Sequence, residues 1–330
     1  MELPENIKNL ISKMLRGDRL ALSRLISVVE SRKYSITKIL KEINPLTGNS
    51  YLIGITGPPG AGKSTLISCI VRSLSEQGKK IGILAVDPTS PFSGGAVLGD
   101  RIRMQEHTED KNVFMRSLGS RGSHGGISRS TSELIKLYDA FGMDLIIIET
   151  VGVGQTELDI IDIADTVIVV LVPEAGDVIQ TMKAGLMEIA DIFVVNKADR
   201  DGANKLIRDI HSMVGKGNES VEWQISVLSS VATNCEGVGE LLEEIDKHKK
   251  YLINNNLMEQ KQKEKRREEF IHSIMDLFQD KISAELEKPE ILELIAEVKN
   301  GDADPYESAE DIFTNSKIEL SVINSKKKGG

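Results

Sequence analysis

The sequence predicts an α/β fold in which a mostly parallel sheet is flanked by helices. Between residues 50 and 245, short runs rich in isoleucine and valine alternate with stretches of helical periodicity. These runs are apolar at almost every position, which is typical of strands that are buried on both faces. The predicted strands span residues 51–56, 80–86, 112–118, 145–149, 166–172, 192–195 and 223–228.

Composition limits the classes of protein that the chain can be. The 330 residues are 40% hydrophobic, which suits one large domain with appendages or two domains. No apolar run approaches the ~20 residues that a bilayer span needs, and the acidic start, Met1–Asn6, has no signal-peptide core. We therefore expect a soluble, cytoplasmic protein with no membrane partner. A net charge of -9 argues against nucleic-acid binding.

Cysteine and histidine usage argues against a metal centre built from these residues. Cys69 and Cys235 are too few for a disulfide framework or a zinc knuckle. The five histidines are scattered, and no pair has the spacing of metal ligands.

Residues 1–48 predict a helical extension that precedes the sheet. Gly17-Asp18 separates two sets of apolar residues, and Asn44-Pro45 marks the boundary with the next domain. Each set repeats at helical spacing: Leu10, Ile11, Met14 and Leu15, then Leu22, Leu25, Ile26 and Val29. The domain that contains the sheet is expected to span residues 49–245.

Beyond the strands, residues 246–316 predict a helical arm. Residues 249–269 are strongly charged, so most of this helix should face solvent. An apolar stripe then follows at residues 270–282, and it either packs against its own domain or contacts a second copy of the chain. Residues 317–330 contain a lysine-rich ending and are expected to form a disordered tail.

A phosphate-binding loop follows the first predicted strand. The segment fits the pattern G-x-x-x-x-G-K-[ST] and opens a helical stretch, which is the context that the motif requires. Its backbone N–H groups and the start of the helix would hold the phosphates. Lys63 would reach the β- and γ-phosphates, and Ser64 would ligate Mg²⁺. The predicted loop residues are Gly57, Pro58, Pro59, Gly60, Ala61, Gly62, Lys63, Ser64 and Thr65.

A base-recognition motif follows the strand at residues 192–195. Asn196, Lys197 and Asp199 form the pattern N-K-x-D. The carboxylate of Asp199 can accept hydrogen bonds from N1–H and the N2 amine of guanine, whereas adenine offers neither partner. A site with a required hydrogen-bond partner discriminates strongly, so the sequence favours GTP over ATP.

Acidic residues at other strand ends complete the predicted site. Glu149 and Gly152 form an E-x-x-G element that would serve Mg²⁺ and the γ-phosphate, so Lys63, Glu149 and Gly152 are the candidate catalytic residues. Asp87 and Asp100 are further candidate Mg²⁺ ligands, or alternatively turn or cap aspartates. Gln155 is a candidate for positioning water.

A glycine-rich loop, Gly119–Gly126, follows another predicted strand. It either contacts phosphate or a partner, with Arg121 as a charge stabiliser, or it is a flexible connection. His124 on such a loop is expected to be solvated.

Taken together, these motifs resemble the methylmalonyl-CoA-mutase-associated GTPases of the MeaB family, formerly described as LAO/AO transport kinases. The resemblance covers residues 5–312. It rests on the phosphate-binding loop, on N-K-A-D, and on the segments Val86–Ser90, Gly99–Met104, Glu149–Gln155 and Gly301–Ala309.

The resemblance implies a chaperone GTPase that serves an adenosylcobalamin-dependent acyl-CoA mutase, with a cobalamin adenosyltransferase as a second partner. It implies Mg²⁺ as cofactor, held by Ser64, Asp87, Asp100 and Glu149, and a homodimer formed by the C-terminal arm. Pro173–Lys183 would be a switch loop that contacts the mutase, with Asp177 and Lys183 as its charged candidates. The last guanine loop aligns with Val231, Ala232 and Thr233, where the family usually has serine first.

Two other functions remain open from the sequence. A nickel or cobalt metallochaperone GTPase would have similar switch chemistry, but such proteins carry Cys/His motifs and this chain has no C-x-x-C. An ATP-dependent kinase of a transport protein would need ATP, which Asn196–Asp199 argues against. Slow, partner-stimulated GTP hydrolysis is the leading expectation.

Overall fold

The computed structural model describes residues 3–31, 36–88, 110–120, 129–150, 160–173, 187–217 and 223–315. These residues form a seven-stranded sheet in the order β3-β2-β4-β1-β5-β6-β7. Every pair of neighbouring strands is parallel. The predicted α/β class with a parallel sheet is therefore confirmed.

Each predicted apolar run lies on a strand, although several strands extend further toward their C-terminal ends than the run predicts. The largest difference is at β7, which begins three residues after the predicted start at Trp223. The strands are β1 Tyr51–Thr56, β2 Ile81–Pro88, β3 Val113–Ser120, β4 Leu145–Thr150, β5 Thr166–Leu171, β6 Ile192–Asn196 and β7 Ser226–Ser230.

The sheet separates two apolar layers, one on each face. Alternate residues of one strand belong to different layers: Ile53 and Ile55 of β1 pack with α4, Lys63–Glu76, whereas Leu52 packs with the helices of the other layer. Because both faces are covered by helices, the strands are apolar at nearly every position. The double coverage explains why the strands could be predicted from continuous rather than alternating apolarity.

The N-terminal extension contains the two predicted helices, which are separated at Gly17 and Asp18, and a third helix that the apolar pattern did not predict. Gly17 has a φ of +89°, a conformation that glycine adopts without a steric penalty and that ends α1. The Asp18 carboxylate accepts hydrogen bonds from the backbone N–H groups of Leu20 (2.9 Å) and Ala21 (3.1 Å), which caps α2. The helices of the extension are α1 Glu5–Leu15, α2 Arg19–Ser31 and α3 Ile36–Ile43.

Arg19 attaches α2 to the outer edge of β3. Its guanidinium donates hydrogen bonds to the carbonyl oxygens of Asp110 (3.0 Å), Lys111 (2.6 Å) and Val113 (2.6 Å). The same group lies 5.6 Å from the centre of the Phe114 ring. The extension is therefore anchored on the sheet by polar as well as apolar contacts.

The remaining helices connect the strands and form the C-terminal part of the chain. Their bounds are Arg129–Phe141, Ile160–Ile163, Met187–Ile189, Ala203–Gly217, Val238–Asn254, Leu257–Leu286, Pro289–Asn300 and Pro305–Asn315. The chain divides into two compact units, Met1–Lys265 and Arg266–Gly330. None of the helices that the structure describes has both the length and the apolar character of a membrane span.

The charged stretch at residues 249–269 is mostly exposed, as its composition predicts, but it is not one continuous helix. It is interrupted at Asn255 and Asn256, and Asn256 has a φ of +57°. Two of its lysines contact the sheet domain: Lys261 donates to the carbonyl oxygen of Asp165 at 2.9 Å, and Lys265 forms an ion pair with the Asp165 carboxylate at 2.7 Å. Long lysine side chains can reach a buried acceptor that the local sequence does not reveal, so composition does not predict these two contacts.

Candidate nucleotide-binding site

The candidate site lies at the C-terminal ends of the parallel strands, where ligands bind in open α/β sheets. β1 ends at Thr56 and leads through the predicted loop into α4, Lys63–Glu76. Gly57, Gly60 and Gly62 have φ angles of +136°, +76° and +86°, respectively, and favour glycine for that reason. The loop and the start of α4 thus have the arrangement that directs backbone N–H groups toward an anion.

Two of these glycines also allow close backbone approach. A Cβ atom on Gly57 would lie 2.1 Å from the carbonyl oxygen of Val170 on β5. A Cβ atom on Gly62 would lie 2.3 Å from the Nδ2 atom of Asn196. The loop is therefore packed tightly against the ends of β5 and β6, and a larger residue at either position would displace it.

Lys63 lies at the base of this loop. Its side chain is buried, with 6% of the residue exposed. The Nζ atom donates hydrogen bonds to the carbonyl oxygens of Gly57 (2.7 Å) and Pro58 (3.1 Å). These contacts hold the ammonium group within the curve of the loop, where it can neutralise phosphate charge.

Ser64 and Glu149 form the second element of the site. The Ser64 hydroxyl donates a 2.7 Å hydrogen bond to Oε1 of Glu149, which is only 3% exposed. Glu149 lies on β4 in register with Ile55 of β1 and Ala85 of β2. Two oxygen ligands of the type that Mg²⁺ prefers are thus side by side next to the phosphate-binding loop, so these residues fit a Mg²⁺ site.

Asp87 is placed at the end of β2, two residues beyond Ala85, which is the register partner of Glu149. β2 and β4 are adjacent and parallel, so the backbone of Asp87 lies at the same end of the sheet as Glu149.

Asn196 joins the phosphate-binding loop to the last predicted guanine loop. Its Nδ2 atom donates to the carbonyl oxygen of Ala61 at 2.8 Å. Its Oδ1 atom accepts from the backbone N–H of Ala232 at 3.0 Å and from the Ser230 hydroxyl at 3.1 Å. The side chain thus uses both its nitrogen and its oxygen, and the residue is only 2% exposed.

The other residues of the base motif are more accessible. Lys197 is half-buried with a φ of +56°, and Asp199 is exposed. The Ala198 N–H donates to the carbonyl oxygen of Ser230 at 3.0 Å, which links this turn to the end of β7. The exposed carboxylate of Asp199 is thus free of the packing that surrounds Asn196, and its accessibility is compatible with the predicted contact to guanine. Val231 is half-buried, Ala232 buried and Thr233 exposed in the adjoining turn.

Two polar residues that no motif predicts also contribute to this site. Ser230, which precedes the predicted guanine loop, donates to Asn196. The buried Thr150 hydroxyl donates to the Thr56 hydroxyl at 2.8 Å, and this bond joins the ends of β4 and β1. Both residues could have been identified from the sequence, because Ser230 directly precedes Val231 and Thr150 directly follows Glu149.

Several predicted residues lie outside the described part of the chain. They are Asp100, Arg121, His124, Gly152, Gln155, Asp177 and Lys183. Within the described ranges, no group of three or more histidine, cysteine, aspartate or glutamate side chains is arranged to hold a metal ion.

A disulfide bond lies next to the site and was not predicted. It joins Cys69 of α4 to Cys235 in the turn that follows the guanine loop, across a sequence separation of 166 residues. The two cysteines are still too few for a framework, but they are paired.

This fold and this site define a P-loop nucleotide-binding protein whose base motif is of the guanine type. The comparison with known families agrees: residues 22–287 match the family model described as methylmalonyl Co-A mutase-associated GTPase MeaB. The chain belongs to this family of GTPases.

Two individual relatives support this assignment. A predicted GTPase of Pyrococcus horikoshii is 47% identical over 307 residues, which cover 92% of this chain and 96% of the relative. The mouse mitochondrial methylmalonic aciduria type A homolog is 36% identical over 265 residues, which cover 71% of this chain and 61% of the relative.

A solved structure is also similar along almost the whole chain. The crystal structure of an LAO/AO transport system kinase has a TM-score of 0.67 at 26% identity, and the match covers 96% of this chain and 99% of the other.

Proposed function

We propose that this protein binds GTP with Mg²⁺ and hydrolyses it to GDP and phosphate, as a chaperone of an adenosylcobalamin-dependent acyl-CoA mutase. The main support for the proposal comes from two hydrogen bonds of the buried Asn196 side chain. One joins it to Ala61 of the phosphate-binding loop and the other to Ala232 of the guanine loop, so this side chain links the two halves of a guanine-nucleotide site.

The roles of the residues follow from their places in the site. Lys63 neutralises charge on the β–γ bridging oxygen and the γ-phosphate while water attacks in line. Asp199 accepts hydrogen bonds from the guanine base, and the backbone of Val231, Ala232 and Thr233 lies beside the base. Gly152 contributes its backbone N–H to the γ-phosphate.

The pair formed by Ser64 and Glu149 is the proposed cation site, with Asp87 and Asp100 as further ligands. A bound Mg²⁺ supplies positive charge to the β- and γ-phosphates. Glu149 takes the place of the aspartate that most GTPases have at this position, and its longer side chain still reaches the Ser64 hydroxyl.

The mutase is proposed as the client because the family is named for its association with methylmalonyl-CoA mutase, and because the mouse relative is named for methylmalonic aciduria. We propose that hydrolysis is slow in the free protein and faster with the mutase, and that a switch loop at Pro173–Lys183 makes the contact through Asp177 and Lys183. A cobalamin adenosyltransferase is a second proposed partner. We also propose that the protein acts in the cytoplasm as a homodimer.

The test is GTP and ATP hydrolysis by the purified protein, with and without an adenosylcobalamin-dependent methylmalonyl-CoA mutase. We expect hydrolysis of GTP but not ATP, and a several-fold increase with the mutase. Glu149→Gln should lower GTP turnover at least about tenfold, because it removes a charged oxygen ligand. Glu240→Gln, at an exposed position, is the matched control and should leave turnover unchanged.

The outcomes separate the parts of the proposal. GTP turnover that does not respond to the mutase contradicts the client and leaves the GTPase. Preference for ATP contradicts the guanine assignment. Preference for ATP would instead favour a second candidate function, that of a kinase acting on a transport protein. The name of the similar crystal structure motivates this candidate.

A further inference from the structure

The Cys69–Cys235 disulfide connects the two ends of the nucleotide site. Cys69 lies on α4, the helix that begins with Lys63 and Ser64 of the phosphate-binding loop. Cys235 lies in the turn that begins with the guanine loop, Val231–Thr233. A covalent bond therefore runs from the phosphate-binding helix to the segment that borders the base.

The turn that carries Cys235 is short and ordered by its own hydrogen bonds. Val231 and Glu236 form an antiparallel bridge, in which the Val231 N–H donates to the carbonyl oxygen of Glu236 at 3.2 Å and the Glu236 N–H to that of Val231 at 3.3 Å. Cys235 has a φ of +58°, a conformation that residues other than glycine and asparagine rarely adopt. Glycine or asparagine would adopt this conformation more readily, so a cysteine here indicates a role for its side chain, which forms the disulfide bond with Cys69.

The Cys69 sulfur also lies directly beneath the guanine loop. Its Sγ atom is 3.2 Å from the carbonyl oxygen of Ala232, and Ala232 donates its N–H to Asn196. Ala232 is thus held between Asn196 on one side and the disulfide on the other. Loss of the disulfide would remove this covalent link and leave the turn held by its backbone hydrogen bonds and by the bond from Ala232 to Asn196.

We propose that the Cys69–Cys235 disulfide is a positioning element of the guanine subsite, and that its reduction weakens guanine-nucleotide binding by loosening the turn at Val231–Glu236. The proposal rests on the proposed binding of GTP and GDP. The base end of the site responds to the disulfide, whereas the phosphate end, held by Lys63 and Ser64 at the start of α4, does not.

The chemistry is thiol–disulfide exchange with a dithiol reductant. Cys235 is half-buried and Cys69 is only 6% exposed, so the external thiolate attacks Sγ of Cys235 and the Cys69 thiolate leaves and takes up a proton. The second thiolate of the reductant then attacks the sulfur of the mixed disulfide that belongs to the reductant. This step releases the Cys235 thiolate, which is protonated in turn. One disulfide becomes two thiols, and the dithiol is oxidised to a cyclic disulfide.

The experiment measures binding of GDP and of inorganic pyrophosphate by calorimetry, with the full chain either oxidised or treated with dithiothreitol. Thiol titration verifies the redox state. We expect reduction to raise the GDP dissociation constant about five- to tenfold, as conformational freedom returns to the turn. The pyrophosphate dissociation constant should stay the same.

Two variants serve as controls. Cys235→Asn removes the bond but retains a residue that tolerates the left-handed conformation, and Cys69→Ala removes it from the helix side. Both should bind GDP as weakly as the reduced protein does, without a response to dithiothreitol.

Three results would overturn the proposal. The first is an unchanged GDP dissociation constant with a lower melting temperature, which would identify a purely structural bond. The second is equal weakening for GDP and pyrophosphate. The third is absence of GDP binding in both redox states, which would overturn the guanine-nucleotide assignment as well.

Discussion

At the scale of single residues, Asn196 determines how the site is assembled. Its amide uses both the nitrogen and the oxygen, toward Ala61 and toward Ala232 and Ser230. The side chain is buried, so a substitution that removes either group leaves backbone partners unsatisfied. Asp199, three residues later, is exposed, and its proposed role is to contact the base and not to connect the loops.

Asp199→Asn should change which base the protein binds. An amide can donate a hydrogen bond where the carboxylate only accepts, so guanine loses its partner and xanthine, which has a carbonyl at position 2, gains one. We expect GTP affinity to fall about 100-fold and affinity for xanthosine triphosphate to rise. Competition binding with labelled nucleotides measures both.

Asp201→Asn is the control, since Asp201 is exposed two residues further along the chain. It should leave both affinities unchanged. If Asp199→Asn weakened the binding of every nucleotide equally, Asp199 would have a structural role and would not recognise the base.

The residues that the sequence predicts well are those whose chemistry is local. The geometry of the phosphate-binding loop follows from glycines within a few positions of Lys63, and N-K-x-D is contiguous. The partners of Cys69 and Thr56 lie far away in sequence, at Cys235 and Thr150. Such pairings are decided by strand order, which no local pattern contains.

At the scale of secondary-structure elements, strands were easier to predict than helix ends. Continuous apolarity identifies a doubly covered strand, and all such runs lie on strands. The interruption at Asn255 and Asn256 was missed because charged residues continue on both sides of it. Three consecutive asparagines, at 254–256, were the available signal, since asparagine tolerates positive φ.

The helix Val238–Asn254 is attached to the sheet through a buried histidine. His248 is 1% exposed, and its Nδ1 atom forms a 2.8 Å hydrogen bond with the Thr166 hydroxyl, which also contacts the Tyr51 hydroxyl at 2.5 Å. Trp223 packs on the imidazole ring with centroids 4.6 Å apart. Asp191 lies 3.4 Å from Nε2, and Glu244 and Lys261 also act on the ring electrostatically.

Stability should therefore fall in mild acid. Burial, followed by the positive charge of Lys261, lowers the pKa of His248 to about 4 from its ordinary value of 6.5. Below pH 6.5 the unfolded chain takes up a proton that the folded chain refuses, so stability is lost as pH falls from about 6.5 to about 4. The full effect would be about 3 kcal/mol, measured by urea unfolding at several pH values.

His248→Gln is the control for this titration, because glutamine can retain a hydrogen bond to Thr166 but does not ionise. The variant should lose this part of the pH dependence. The variant also distinguishes the titration of His248 from that of Asp191, whose pKa is raised by burial. An unchanged pH profile in the variant would show that another group is responsible.

Arg19 should contribute measurably to the attachment of the N-terminal extension. Arg19→Ala removes three hydrogen bonds from a charged donor and the contact with the Phe114 ring. We expect a loss of about 2 kcal/mol in the free energy of unfolding, measured by urea denaturation. Arg24→Ala, at an exposed position on the same helix, should change it by less than about 0.5 kcal/mol.

At the scale of the whole molecule, the second unit has an apolar surface. Phe270, Met275 and Leu277 are 66%, 59% and 50% exposed in the single chain. Phe270 and Leu277, seven residues apart on one helix, share a face, and large exposed apolar residues on one face often mark an interface. They agree with the proposal of a homodimer.

The protein should sediment as a dimer, and Phe270→Glu with Leu277→Glu should give a monomer, because burial of two charges would oppose association. Sedimentation velocity measures this, and GTP hydrolysis without the mutase should be unchanged. Gln279→Glu adds a charge at an exposed position of the same helix and should remain dimeric. A wild-type monomer would contradict the proposed homodimer.

The position of Arg19 has one more consequence. β3 lies at the edge of the sheet that the described residues form, and the carbonyl of Asn112 accepts a hydrogen bond from Ile81 of β2. Because carbonyls alternate in direction along a strand, those of Lys111 and Val113 point outward, and Arg19 occupies both. The exposed edge of a sheet can pair with a strand of another chain, and such pairing leads to aggregation. The N-terminal extension thus blocks edge-to-edge pairing at the point where β3 begins.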